Sequence, residues 1–353
     1  MKVAIVSDAW HPQVNGVVRT LSRTRDELAA MGHAVRMVTP EGCRTVPMPT
    51  YPEIRLVLRP GLRVGPALQD FGPDAIHIAT EGPLGMAARR WCRKRRLPFT
   101  TSLHTRFPEY IRLRTGMPLS WTYAWLRWFH AGAVRTLVTT QSIKSELAAR
   151  NFANTVVWGR GVDTELFRPD PTALVDSVRP IFLYVGRVAV EKSVEDFLSL
   201  DLPGTKVVVG DGPDIDALRA RYPQVRFTGY RAGRALAQCY ATADVFVFPS
   251  RTDTFGLVLL EAMACGTPVA AYPVPGPKDV VVDGRTGRLD EDLRRAALDA
   301  LKIDRQECRK YAETLTWRRT TERFVATLAP IEHASAVADR HRKDQSRHGR
   351  RQE

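Results

Sequence analysis

The sequence lacks the features that would place it in several large classes of protein. No uninterrupted apolar run approaches 18 residues, so we expect no membrane-spanning helix. The first residues, MKVAIVSDAW, contain neither a long apolar region nor a cleavage site and so do not resemble a signal peptide. The five cysteines are scattered and form no Cys-x-x-Cys pair, which favours reduced thiols in a cytoplasmic protein over a disulfide framework or a zinc site.

Two nucleotide-binding signatures are also missing. The chain has neither G-x-G-x-x-G nor a Walker lysine, which argues against NAD binding and P-loop ATPase activity. Asp214 and Asp216 form a D-x-D, a metal-binding spacing in a different fold. Here the pair follows GDGP and opens a helix, where acids complement the helix dipole, so we assign it to capping and expect no metal and no cofactor.

Length and charge indicate how the chain is organised. The 353 residues exceed what one hydrophobic core usually organises, so two domains are expected. Residues 1–169 hold 24 Lys and Arg against 12 Asp and Glu, whereas residues 170–353 hold 28 against 26. The first half therefore carries most of the net charge of +14 and is the half expected to meet an anionic surface.

Short β-rich runs alternate with helical patterns along the chain. In the first half these runs are KVAIVSD, HAVRMVTP, DAIHIAT, PFTTSLH and RTLVTTQS, and in the second they are IFLYVGR, TKVVVGDG, QVRFTGY, DVFVFPS and TPVAAYP. The alternation predicts an α/β fold of two doubly wound, Rossmann-like domains over residues 1–168 and 169–332. Residues 333–353 are charged and almost free of apolar side chains, so we predict a disordered basic tail. In such folds, ligands bind at the carboxyl ends of strands.

Two cations follow the first strand of the second half. Arg187 and Lys192 lie five residues apart in VGRVAVEKS. An arginine can bind two phosphate oxygens through its planar fork and a lysine adds a point charge, so the pair suits a phosphate-bearing ligand. The alternative is a solvated loop in which these cations pair with Glu191 or Glu195.

The stretch DTFGLVLLEAMA contains two acids eight residues apart. Asp253 stands at the predicted helix start, where it either binds a ligand or only caps the helix. Glu261 stands in an apolar run, where it either binds a ligand or forms a structural ion pair. At the rise of a helix the two acids would lie about 12 Å apart, roughly the span of a nucleoside diphosphate-sugar. The predicted helix start also directs free backbone N–H groups at an anion. These groups belong to Thr254, Phe255, Gly256 and Leu257.

Two further candidates follow strands of the first half. Gly16 lies between the first strand and the first helix, where a glycine lets the backbone approach a ligand and the helix start favours an anion. His104 follows the fourth strand and is expected to face the cleft between the domains. A lone histidine is more often a structural hydrogen-bonding residue, which is the alternative here.

Together these positions resemble the retaining glycosyltransferases of family 4, which have the GT-B fold, over roughly residues 1–330. The E-x7-E motif of that family falls on Asp253 and Glu261, and its Gly-Arg…Glu-Lys motif falls on Gly186, Arg187, Glu191 and Lys192. The family's glycine loop falls on Gly16, and its N-domain histidine falls on His104. Two positions depart from the family pattern. Asp253 replaces a glutamate, which leaves the identity of the sugar open, and Ser193 replaces a glycine.

The resemblance implies a role for each residue. Arg187 and Lys192 would neutralise the departing diphosphate together with the amides of residues 254–257. Glu261 would bind ribose hydroxyls, Asp253 would bind hydroxyls of the transferred sugar, and His104 would contact that sugar from the opposite domain.

Residues 106–135 combine aromatic and basic side chains and follow the basic run RRWCRKRR of residues 89–96. Their members are Trp121, Tyr123, Trp125, Trp128 and Phe129 with Arg106, Arg112, Arg114, Arg127 and Arg135. This pattern suits an element pressed against anionic lipid, and the alternative is a core-facing helix with solvated arginines. We therefore expect peripheral attachment to the cytoplasmic membrane face and a lipid acceptor such as diacylglycerol.

The residues around SDAWHPQVNGVVRTL and SLHTRFPEY are similar both to those of bacterial glycolipid-forming members of the family and to those of mannosyltransferases that use GDP-mannose. We favour a UDP-hexose donor, carrying glucose or glucuronic acid, with GDP-mannose as the alternative. The competing classes are a nucleic-acid-binding protein, a nucleotide-sugar epimerase of the same fold and a nucleotide-sugar-binding protein without transfer activity. The convergence of two acids and two cations argues against nucleic acid as the partner.

Overall fold

The computed structural model describes residues 1–13, 15–48, 51–170 and 178–332. In the first half, the strands are β1 (Lys2–Val6), β2 (Ala34–Val38), β3 (Thr45–Met48), β4 (Tyr51–Val57), β5 (Ala75–Ile78), β6 (Thr100–Leu103), β7 (Arg135–Val138) and β8 (Thr155–Val157). The helices are α1 (Gly16–Ala30), α2 (Gly61–Phe71), α3 (Pro83–Arg95), α4 (Phe107–Thr115), α5 (Leu119–His130) and α6 (Gln141–Ala149).

The second half continues the alternation. Its strands are β9 (Ile181–Val185), β10 (Thr205–Val209), β11 (Arg226–Phe227), β12 (Val245–Phe248), β13 (Val269–Ala271) and β14 (Gly287–Leu289). Its helices are α7 (Val194–Leu198), α8 (Ile215–Arg221), α9 (Gly233–Thr242), α10 (Leu257–Ala264), α11 (Pro277–Val280), α12 (Leu293–Ala300), α13 (Arg305–Glu313) and α14 (Trp317–Thr327).

Within the described ranges, the strands form two six-stranded sheets and one two-stranded hairpin. The sheet orders are β2-β1-β5-β6-β7-β8 and β11-β10-β9-β12-β13-β14, and the registered pairs in both sheets are parallel. The predicted α/β class with two parallel sheets is confirmed. The antiparallel β3–β4 hairpin was not predicted. Pro47 and Pro52 lie within its strands, and proline usually argues against a strand.

By its internal contacts the chain divides into two compact units. Among the described residues, the first contains Met1–Leu103, Ala124–Leu137 and the stretch from Val325 to Glu332; the second contains His104–Tyr123 and Val138–Phe324. The predicted tail, residues 333–353, lies outside the described residues, as do residues 171–177 next to the predicted domain boundary. In the described residues, no helix is long and apolar enough to cross a bilayer.

The second unit has a core on each side of its sheet, because successive residues of a strand point to opposite faces. On β9, Ile181, Leu183 and Val185 belong to one apolar cluster, whereas Phe182 and Tyr184 belong to the other. A strand buried on both faces has to be apolar throughout, which explains the run IFLYV. The polar loop after β9 begins directly where its run of buried residues ends, at the carboxyl end of the strand.

Candidate active site

The structure brings Lys192 and Asp253 together. Lys192 ends a single 3-10 turn, Val190–Lys192, after β9, and Asp253 lies between β12 and α10. The Lys192 Nζ donates a hydrogen bond to the Asp253 Oδ1 over 2.6 Å, and both side chains are about one-fifth exposed. The buried Oδ2 of Asp253 has no hydrogen-bond partner among the described residues. A cation and a carboxylate thus share one half-buried position, each with capacity for further polar contacts.

The sequence left open that Lys192 pairs with Glu191 or Glu195, and the structure gives Glu195 other partners. Glu195 bonds instead to Arg221 and Tyr222, and the pKa of its carboxyl is lowered mainly by the hydrogen bond from Arg221. Glu191 is buried beside Lys192.

Tyr184 supports the loop that carries Gly186 and Arg187. Its side chain is 1% exposed, and its hydroxyl donates to the carbonyl of Arg187 over 2.8 Å. Burial raises the pKa of the Tyr184 hydroxyl, the charge of Lys192 opposes that shift, and the charge of Asp253 adds to it. Tyr184 therefore stays a neutral donor to this loop, while the side chain of Arg187 is exposed.

A second loop lies directly against this one and explains two glycines. A Cβ on Gly210 would stand 1.8 Å from the carbonyl oxygen of Gly186, and a Cβ on Gly212 would stand 2.1 Å from that of Val188. The backbone N–H of Val188 also donates to the carbonyl of Asp211. The GDG sequence after β10 is therefore required by contact with the Gly186 loop. We did not single it out from the sequence, although glycines flanking a strand-end acid were a signal for such contact.

The helix that was predicted to start at Asp253 starts later. α10 begins at Leu257, and its N-cap is Gly256 with φ +81, so Asp253 does not cap it. Thr254 and Phe255 belong to the preceding loop. Of the four backbone amides predicted at the helix start, those of Thr254 and Phe255 are therefore not part of the helix. The estimate of about 12 Å between Asp253 and Glu261 assumed a continuous helix and does not hold as derived.

Two hydrogen bonds fix the loop before α10. The Thr254 hydroxyl donates to the carbonyl of His104 over 2.7 Å, and the Thr139 hydroxyl donates to the carbonyl of Thr254 over 2.8 Å. Thr254 is 8% exposed. His104 and Asp253 are therefore held near one another through the residue that follows Asp253.

Glu261 is buried on α10 with 4% exposure. Its Oε2 accepts a hydrogen bond of 3.1 Å from the Tyr240 hydroxyl of α9, and Tyr240 is itself fully buried. A polar partner was expected for a carboxylate in this apolar run. The role of Glu261 at a ribose stays a prediction, since its described contact is with Tyr240.

His104 directly follows β6 and accepts a hydrogen bond at Nδ1 from Arg160, over 2.8 Å. Its ring meets the edge of Trp158 at 5.8 Å between centroids. Arg160 is 6% exposed, and burial lowers the pKa of its guanidinium to about 9. Sequence reasoning missed Arg160, because nothing in the sequence links it to a histidine 56 residues away.

In the first unit, Gly16 begins α1, and the Asn15 side chain caps that helix by accepting from the N–H groups of Val17 and Val18. The first unit also contains Asp8, a buried acid at the end of β1 that sequence reasoning missed. It accepts bonds from the N–H groups of Leu84 and Gly85 at the start of α3, and burial raises the pKa of its carboxyl.

The aromatic and basic segment divides between core and surface. On α5, Trp121, Trp125 and Trp128 are 70%, 39% and 48% exposed, whereas Tyr123 and Phe129 are buried. The three tryptophans follow the spacing i, i+4, i+7 and so occupy one helix face. The core-facing alternative therefore holds for Tyr123 and Phe129 but not for the tryptophans.

Comparisons with known proteins identify this fold as that of the GT-B glycosyltransferases. Residues 14–166 match glycosyltransferase family 4, and residues 179–302 match the glycosyl transferases group 1 family. A GDP-mannose-dependent alpha-mannosyltransferase of Mycolicibacterium smegmatis is 36% identical over 85% of this chain and 87% of its own length. The chain belongs to glycosyltransferase family 4 and is a hexosyltransferase.

Two further similarities define the range of the family. An alpha-monoglucosyldiacylglycerol synthase of Streptococcus pneumoniae is 26% identical over 85% of this chain and 78% of its own length. Among solved structures, a sucrose-phosphate synthase of Thermosynechococcus elongatus has a TM-score of 0.74 at 22% identity and covers 92% of this chain and 97% of its own. That similarity shows the GT-B fold, as predicted.

Proposed function

We propose that the protein transfers a hexose from a nucleotide-sugar to a lipid acceptor at the cytoplasmic membrane face. The observation that carries the proposal is the contact of Lys192 with Asp253, which brings a cation suited to phosphate and a carboxylate suited to sugar hydroxyls together at the carboxyl ends of neighbouring strands. Neither a nucleic-acid-binding role nor simple nucleotide storage requires that combination.

In this mechanism, Lys192 and Arg187 stabilise the negative charge that develops on the departing diphosphate. Asp253 accepts hydrogen bonds from hydroxyls of the transferred sugar, Glu261 binds the ribose, and His104 contacts the sugar. The acceptor attacks the face from which the diphosphate leaves, and the leaving phosphate takes the acceptor proton. The anomeric configuration is thereby retained without a covalent enzyme intermediate.

For the donor we propose GDP-mannose, with UDP-glucose as the second candidate. Sequence reasoning favoured a UDP-hexose, but the mannosyltransferase from Mycolicibacterium smegmatis is more similar to this chain than the glucosyl-diacylglycerol synthase is. The test is a panel of GDP-mannose, UDP-glucose, UDP-glucuronate and UDP-galactose with diacylglycerol vesicles, analysed by mass spectrometry of the lipid. Transfer from none of the four donors to any lipid would contradict the proposal, and turnover of donor without acceptor would indicate an epimerase.

A surface of the first unit supports the lipid acceptor. We call it the α3–α5 surface and define it by the exposed side chains of Arg90, Arg93, Lys94, Trp125 and Trp128. It adjoins a groove of about 1070 Å³ between α2 and α3. Tryptophan suits the bilayer interface, and each basic residue near an anionic bilayer adds about 1 kcal/mol of attraction. We therefore propose peripheral binding to anionic lipid through this surface.

Vesicle sedimentation tests the membrane proposal. We expect Arg93→Glu combined with Lys94→Glu to weaken binding to anionic vesicles by about tenfold or more at low salt, given about 1 kcal/mol for each basic residue lost. The matched control is Arg318→Glu with Arg319→Glu, an adjacent exposed pair on α14. Equal loss in both variants, or equal binding to neutral and anionic vesicles, would contradict a specific role for the α3–α5 surface.

A further inference from the structure

Arg160 is a buried cation whose hydrogen-bond partners in the described residues include no carboxylate. Burying a charge without a carboxylate is costly, and the lowered pKa of its guanidinium reflects that cost. Its two hydrogen bonds go to the carbonyl of Gly159 over 2.5 Å and to the Nδ1 of His104 over 2.8 Å. The second contact links this cation to the candidate active site.

We propose that Arg160 is a positioning residue that fixes the ring proton of His104 on Nε2. A guanidinium contains only donors, so the ring nitrogen that faces it at 2.8 Å must be the acceptor. A neutral imidazole has one proton, which is then on Nε2. A doubly protonated ring would place two donors against each other at this contact.

Trp158 holds both members of the pair in place. The guanidinium of Arg160 lies 4.7 Å from the Trp158 ring centroid, and the same ring meets His104 edge-on. Trp158 is 1% exposed, and its Nε1 donates to the carbonyl of Thr320 over 3.1 Å. Since the indole cannot shift without losing this bond, the orientation of His104 is set by packing as well as by the hydrogen bond from Arg160.

The inference rests on the proposed function only for its consequence in the reaction. With its proton on Nε2, His104 presents a hydrogen-bond donor to an oxygen of the sugar, and its Nδ1 is occupied by Arg160. His104 then contributes through donation to the substrate and not as a base at Nδ1. Partners that fix the tautomer of a metal-bound histidine are worth about 10- to 100-fold in activity, and we expect a loss of similar size here.

The test reads the tautomer directly. The full-length protein is labelled in its histidine ring nitrogens, and proton–nitrogen correlation spectra at neutral pH report which nitrogen is protonated; His104→Asn assigns the signal. We expect the Nε2–H form in the wild type and in Arg160→Lys, which keeps a donor. Arg160→Met should produce a population protonated on Nδ1 and a kcat about 10- to 100-fold lower, with the donor KM changed less.

Arg305→Met is the matched control, because Arg305 is also a largely buried arginine of the second unit and donates to the carbonyls of Ala241 and Ala243. We expect it to leave the His104 signal and kcat unchanged. A wild-type ring protonated on Nδ1 would overturn the inference even if Arg160→Met does not fold. An unchanged tautomer or kcat in Arg160→Met would also overturn it. If the tautomer result holds but no hexose transfer is found, the proposed function fails and the assignment of the proton stands.

Discussion

Replacing Lys192 with alanine tests whether the charge at the strand end serves catalysis or only the structure. The substitution removes the 2.6 Å bond to Asp253. Both partners are about one-fifth exposed, so solvent screens the pair and its loss should lower the free energy of unfolding by only about 1–2 kcal/mol. If Lys192 stabilises the departing diphosphate, kcat should fall by about 10²- to 10³-fold, equivalent to roughly 3–4 kcal/mol in the transition state.

The two effects are measured separately, by urea unfolding and by initial rates over a range of donor concentrations. Lys302→Ala is the matched control, since the exposed Lys302, just after the end of α12, pairs with Asp299 at 2.8 Å and its loss should affect neither quantity measurably. Lys192→Arg keeps the charge and should retain part of the rate. A Lys192→Ala enzyme with kcat near the wild-type value would refute the reasoning, and so would a rate loss that matches the loss of folded protein.

Three further predictions concern other buried or strained positions. Glu261→Gln should raise the donor KM about tenfold with kcat little changed, as expected for uniform binding of the nucleotide; a fall in kcat alone would contradict a ribose-binding role. Gly256→Ala should lower the free energy of unfolding by about 1–3 kcal/mol, because Gly256 has φ +81 and a Cβ would stand 3.0 Å from Leu259, and an unchanged urea midpoint would refute this. Because burial raises the pKa of Asp8, the folded state binds a proton that the unfolded chain has released. Stability should therefore fall as pH rises from the ordinary pKa of 3.8 through the raised value, and Asp8→Asn should flatten that part of the profile in urea midpoints; equal slopes would count against it.

The sequence predicted the parallel strands well, because doubly buried strands must be apolar throughout and the polar residues after them mark their ends. It misplaced the start of α10. An aspartate before an apolar run is typical of a helix cap, yet the structure uses Asp253 as the partner of Lys192 and begins the helix after Gly256. Local propensity yielded to a contact between residues 61 positions apart.

The contacts of His104 could not be predicted from the sequence for a related reason. Arg160 and Thr254 are 56 and 150 residues away from it, and neither spacing nor composition specifies such partners. The aromatic segment shows a further limit. Its helical pattern is compatible with either a core or a surface assignment, and α5 contains both kinds of side chain because different faces of one helix meet different environments.

The bonds from Thr254 to His104 and from Thr139 to Thr254 have a consequence for engineering. Residues 252–256 do not form a structurally independent segment, because the hydroxyl of Thr254 donates to the backbone carbonyl of His104, which follows β6. If Asp253 binds the transferred sugar as proposed, a chimera designed for a different sugar would need the stretches around residues 104 and 139 from the same parent protein. Grafting the short segment alone would leave the hydroxyl of Thr139 and the carbonyl of His104 without matched hydrogen-bond partners.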